Sequence, residues 1–211
     1  ELNRYMEVDE YGQHTIYTIY YDTEDFSIIR NCLEKPKFRE KLRLRSYGVP
    51  SPEDTVFLEL KKKSAGITYK RRISLALKEA ISYMEYGDQT FPGSQIFNEI
   101  DWFNAKYNLE AKVLLIYDRI AMIGDADPDL RITFDHKVRW RDSNLRLEKA
   151  NDDRALLPTD YYLMEIKSVA ALPYWLAKML SEYHIYPTSF SKFGTIYSNY
   201  LSTKERCRYA V

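Results

Sequence analysis

Charged and apolar side chains alternate along several stretches of this chain, with the period of two that belongs to a β-strand. In Lys41-Leu42-Arg43-Leu44-Arg45 the cations share one face and the leucines the other. Residues 55–63 repeat the arrangement, with Glu59, Lys61 and Lys63 opposite Val56, Leu58 and Leu60. Across 130–140, strict alternation groups Arg131, Thr133, Asp135, Lys137 and Arg139 against Leu130, Ile132, Phe134, Val138 and Trp140. Within 161–168, Glu165 and Lys167 oppose Met164 and Ile166, and Arg119 interrupts the apolar run 113–123. Together with β-branched and aromatic residues, these patterns predict strands at 14–21, 41–47, 55–63, 67–75, 111–123, 130–141 and 161–169.

Helical spacing fills the gaps. Residues 77–86 have helical composition, and Ile96, Ile100, Phe103 and Tyr107 recur on one stripe. Leu176, Met179, Leu180 and Tyr183 form another stripe, with Pro173 suited to the first turn. The last carries Phe193, Ile196, Tyr197, Tyr200 and Leu201, with Ser191 as its N-cap. Turn signals stand at 48–52, at Phe91-Pro92-Gly93-Ser94 and at 124–128. The sum is a single α+β domain over residues 1–211, dominated by antiparallel strands.

Composition narrows the chemistry. Nineteen tyrosines among 211 residues favour a β-rich fold. Lysine plus arginine and aspartate plus glutamate balance at 31 each, so the total charge does not point to a nucleic-acid binder. Cys32 and Cys207 make neither a disulfide framework nor a metal-binding set. No apolar run reaches the roughly 20 residues that span a bilayer, and no signal-peptide pattern is present, which leads to the expectation of a cytoplasmic protein. His14, His136 and His184 lack metal-ligand spacing, and no glycine-rich phosphate loop occurs. The Asp125, Asp127, Asp129 cluster reads as a turn, because Pro128 and the missing later glutamate do not suit a calcium loop.

The recurrent cationic faces admit two readings. They are the solvated side of an antiparallel sheet, or they line an antiparallel β-barrel tunnel with a basic interior and helices packed outside. The second would hold a polyanion, since an arginine fork donates two hydrogen bonds to phosphate. Glutamates inside such a bore suit oxygen ligation of Mg²⁺ or Mn²⁺.

Seven segments in order carry a family resemblance: KLRLRSYG at 41–48, FLELK at 57–61, YKRR at 69–72, YDR at 117–119, RITFD at 131–135, MEIK at 164–167 and SKF at 191–193. The chain resembles the vacuolar-transporter-chaperone (VTC) type polyphosphate polymerases, within the CYTH-like triphosphate tunnel metalloenzymes. The resemblance implies phosphate-binding catalytic roles for Arg43, Arg45, Lys61, Arg119, Arg131 and Lys192. It implies substrate contacts from Lys41, Glu59, Arg71 and Lys167, and a Mn²⁺ or Mg²⁺ ligand in Glu165. It further implies transfer of the terminal phosphate of ATP to polyphosphate, with triphosphate hydrolysis or non-catalytic polyphosphate binding as alternatives. A separate membrane partner for polymer export and no nucleic-acid partner complete the expectation; the oligomeric state is left open. Family members begin with a strand close to R-x-E-x-K. Here that strand is expected to be missing, with residues 1–11 forming the end of the following helix. Ser189 stands where some members have a further lysine.

Overall fold

A computed structural model describes residues 1–88, 93–149 and 153–203. Phe91 and Pro92 of one expected turn, and Cys207, lie outside the described residues. The chain runs through β1 (Met6–Asp22), α1 (Ser27–Leu33), β2 (Phe38–Tyr47), β3 (Thr55–Ser64), β4 (Ile67–Ala76), α2 (Leu77–Tyr86) and α3 (Gln95–Tyr107). It continues through β5 (Glu110–Gly124), β6 (Arg131–Arg141), β7 (Arg154–Ala155), β8 (Leu163–Lys167), α4 (Tyr174–Glu182) and α5 (Lys192–Ile196), then a π-helical turn at Tyr197–Leu201.

All strands join one antiparallel sheet in the order β4-β3-β2-β1-β5-β6, with β7 and β8 both pairing the far side of β6. Hydrogen bonds do not close it, because β4 and β8 remain edges among the described residues. The sheet nevertheless curls. A flat sheet would hold β3 and β8 about 24 Å apart, five spacings of roughly 4.8 Å. Yet the charge of Glu165 on β8 bears on Lys61 of β3, an effect that so large a separation would leave negligible.

The leucines of the alternating strands bury the convex face. Leu42, Leu44, Val56, Leu58 and Leu60 meet Leu77, Ala80 and Tyr83 of α2 and Phe97, Ile100 and Phe103 of α3. Each such side chain contributes about 1.5–3 kcal/mol when fully buried. A second cluster joins Met122 and Ile132 to Leu176 of α4, and Met164 and Ile166 pack against it. The third lies on the concave side, where Phe193 and Ile196 of α5 cover Val113, Leu115, Tyr117, Val138 and Trp140.

Three expectations are corrected. Residues 6–11 are strand rather than the end of a helix, since Met6, Glu7 and Val8 pair with Gly124, Ile123 and Met122. Strict alternation fails within β6, where two residues, Lys137 and Val138, stand against Tyr117 alone, and Lys137 takes φ 48°. This β-bulge flips the face parity. Val138 and Trp140 therefore share the concave face with Asp135, while Lys137 turns toward Asp118 (3.7 Å) and Arg139 toward Asp153 (3.9 Å). Pro173 stands at the N-cap of α4, one position before its first turn.

A candidate anion-binding face

Cross-strand register assembles the concave face row by row. Arg43, Glu59 and Arg72 stand directly opposite one another across β2, β3 and β4, and Lys41, Lys61 and Lys70 form the adjacent row. The β3–β4 register follows from the two-residue turn Ala65-Gly66, whose φ values of 46° and 89° have the positive signs of a type I′ hairpin.

Glu59 is fully buried and neutralises its own row. Its carboxylate accepts from Arg43 Nε at 2.7 Å and Arg72 Nε at 2.6 Å, and pairs with Lys70 Nζ at 2.7 Å. Burial pushes this carboxyl up, but Arg43, Arg45 and Lys70 outweigh it and hold it down at about 2. A carboxylate with these partners has little left for a metal ion, so Glu59 orders the cations around it.

Asp135 plays the same part on the other wall. It accepts two bonds from Arg119, at 2.6 and 2.9 Å, and one from Lys192 Nζ at 2.6 Å. Against the upward push of burial, Arg119 and Lys192 keep it below the ordinary carboxylate range. Lys192 reaches this position because Ser191 caps α5, accepting from Gly194 N, and because Gly194 lets α5 approach α1. A Cβ on Gly194 would lie 2.9 Å from Leu33 Cδ2.

Three further cations, Lys41, Arg45 and Lys61, lack carboxylate partners of comparable quality among the described residues. Lys41 donates to Ser191 Oγ at 3.3 Å. Arg45 is buried and donates to the neutral oxygens of Thr18 (3.4 Å) and Tyr117 (3.2 Å), with Glu59 no nearer than 4.0 Å. Lys61, directly between Lys41 and Lys70, has no ion pair within 4 Å among the described residues. Burial and then Arg43 lower its pKa. Tyr20 stacks on Phe193 at 5.0 Å. Burial would raise its phenol, but Arg43, Lys41 and Arg45 bring it to about 8. Like charges placed directly opposite repel, so this row is arranged for an added anion.

Of the residues expected from sequence, Lys41, Arg43, Arg45, Glu59, Lys61, Arg119 and Lys192 come together here. Glu165 shares the face at the β8 wall, half-exposed, with Lys167 Nζ at 3.6 Å. Arg131 lies further along the same face and is tied to Asp9 at 2.9 Å. Arg71 does not join them. It stands opposite Leu60, on the convex face, and reaches Glu99 of α3 at 3.4 Å. Its neighbours Lys70 and Arg72 take the inward positions, as the Ala65-Gly66 turn could have foretold. Asp135, Tyr20 and Tyr117 were also not singled out; no local motif marks a carboxylate or phenol as the partner of distant arginines.

Among the described residues no group of three His, Cys, Asp or Glu side chains could by itself hold a metal ion. Glu165, however, makes no arginine ion pair among the described residues, and directly across the ladder the buried hydroxyl of Thr133 has no hydrogen-bond partner among them. One carboxylate and a neighbouring oxygen fit Mg²⁺ or Mn²⁺, which commonly takes most of its remaining ligands from substrate phosphates and water.

A family model described as the VTC domain matches residues 1–200. Two solved structures share the fold. One is a Bacillus halodurans protein assigned as an adenylate cyclase, with TM-score 0.54 and 14% identity over 91% of this chain and 85% of that one. The other is a Hippeastrum protein assigned as an adenylyl cyclase and described by a dominant triphosphatase activity. It gives TM-score 0.52 and 13% identity over 93% of this chain and 86% of that one.

Proposed function

The chain belongs to the VTC domain family, and we propose from that premise that it transfers the terminal phosphate of ATP to a growing polyphosphate chain. The observation that carries this reading is the set of cations Lys41, Lys61 and Arg45 on the concave face, for which no carboxylate lies closer than 4.0 Å among the described residues. A triphosphate laid along β2 and β3 supplies the missing anions, and Arg119 and Lys192 approach it from the opposite wall.

Phosphoryl transfer asks a protein mainly for alignment and charge neutralisation. A terminal oxygen of the polyphosphate attacks the γ-phosphorus, the bond from that phosphorus to the β–γ bridging oxygen breaks, and ADP leaves. The attacking oxygen is already anionic near neutral pH, so the step needs no strong general base. Glu59 and Asp135 act as positioning residues, locking the arginines whose remaining N–H groups face the phosphates. Glu165 and Thr133 would hold a Mg²⁺ or Mn²⁺ ion, which supplies neutralisation of phosphate charge.

The test is incubation with ATP and Mn²⁺, assaying polymer, ADP and free phosphate separately. We expect polymer and ADP from the wild type, and at least a hundredfold loss of both in Glu165→Gln. Free phosphate without polymer would identify a hydrolase instead. Tight polyphosphate binding without turnover would identify a binding module.

A further inference from the structure

Beyond the phosphate-binding row, the same concave face ends in a continuous series of rings. Tyr11 meets His14 edge-on at 6.4 Å, His14 meets Tyr47 at 5.7 Å, and Tyr47 meets Phe57 at 5.7 Å. The Arg72 guanidinium closes the series 4.4 Å over Phe57 and donates to the Tyr47 hydroxyl at 3.5 Å. The rings come from β1, β2 and β3, and Arg72 from β4, so the array bridges the sheet at one end of the groove. Tyr47 is 47% exposed and Tyr11 69% exposed, which leaves ring surface open to solvent.

Tyr11 is brought there by a large bulge in β1, where residues 9–12 stand against Ala121 alone. Asp9 braces the bulge, accepting from Tyr11 N at 3.2 Å and from Arg131 at 2.9 Å. The positive φ of Gly12, 58°, lets the chain turn back into the ladder. Exposed aromatic rings beside a cationic row have a specific complement, a flat heteroaromatic group carrying a chain of phosphates. Tyr47 lies four residues along β2 from Arg43, about 13 Å at strand rise, a separation that a ribose and its first phosphates fill.

We propose that this mouth is a nucleobase subsite, in which the base of a nucleoside triphosphate stacks on Tyr47 and is flanked by His14 and Tyr11. The subsite rests on the phosphate-binding reading above and assigns residues to the donor's base, which that reading left unplaced. Stacking on rings is tolerant of base identity, so ATP and GTP gain alike from it.

The experiment is a pair of calorimetric titrations, ATP and inorganic tripolyphosphate, each in metal-free buffer so that neither turns over. The wild type binds both. Tyr47→Leu removes the ring and should weaken ATP roughly tenfold, within the range measured for base–aromatic stacking, while tripolyphosphate shifts less than twofold. Tyr47→Phe keeps the ring, loses the bond to Arg72, and should retain wild-type preference for ATP. Equal weakening of both ligands in Tyr47→Leu would show that the ring acts only through Arg72, and would overturn the subsite. Unchanged ATP affinity would overturn it too. If the wild type bound neither ligand, the phosphate reading would fail first and the subsite with it.

Discussion

Glu59 shows how one residue orders a charged face. Four cations point at a carboxylate with no solvent contact, and three of them lie within hydrogen-bonding distance. These cations hold its carboxyl down at about 2, well below the ordinary glutamate range, a preference for the charged form equivalent to about 3 kcal/mol. The sign follows from a folded pKa below the unfolded one. This stabilisation is complete above the unfolded pKa, near 4.5, and is lost as pH falls toward 2. Glu59→Gln should therefore destabilise the fold at neutral pH by roughly 3–5 kcal/mol, the cost of stranding buried partners. Added tripolyphosphate should raise the melting temperature of the variant more than that of the wild type, because the stranded cations recover an anion. Denaturant melts at pH 7 and pH 3 would check both; a variant as stable as the wild type at pH 7 would deny Glu59 this role.

Among the elements, α5 matters beyond its five residues. Ser191 both caps it and receives Lys41, Lys192 reaches Asp135, and Phe193 stacks on Tyr20, so one turn ties β1, β2 and β6 together. Gly194 sets its distance from α1. Gly194→Val should cost about 1–3 kcal/mol through overpacking and weaken tripolyphosphate binding by displacing Lys192. Unfolding and titration of the same variant read the two effects, and unchanged values for both would remove the constraint. The helices and strands were largely legible, because period-two and period-3.6 patterns reflect burial on one face. Residues 77–86 coincide with α2, and Ser191 does cap α5. The bulges were not legible. The one at Lys137 reversed the faces of Val138 and Trp140, and the one at 9–12 overlapped the end of residues 1–11, a stretch read as helix. Each depends on a partner strand distant in sequence. The two-residue strand β7 and the short helix α1 carry too few residues for a period to register.

At the scale of the whole molecule, a neutral chain concentrates cations on one concave face and spends its leucines on the other. The seven ordered motifs made the VTC family legible, and the family model agrees over residues 1–200. They pointed to Arg71 as the substrate-facing residue of Tyr69-Lys70-Arg71-Arg72, and pairing with Glu59 gives that place to Lys70 and Arg72 instead. No helix among the described residues is long and apolar enough to cross a membrane. The central claim is that the concave-face cations Lys41, Lys61 and Arg45 form a seat for condensed phosphate. Its most direct test is calorimetric titration of inorganic tripolyphosphate into the wild type, Arg45→Ala and Lys61→Ala, without metal at pH 7. The account predicts saturable binding at one site per chain. Each substitution should weaken it by roughly 1.5–3 kcal/mol, the range of a charge-assisted hydrogen bond, with melting temperatures little changed. Absence of binding to the wild type, or equal affinity in all three proteins, would contradict it.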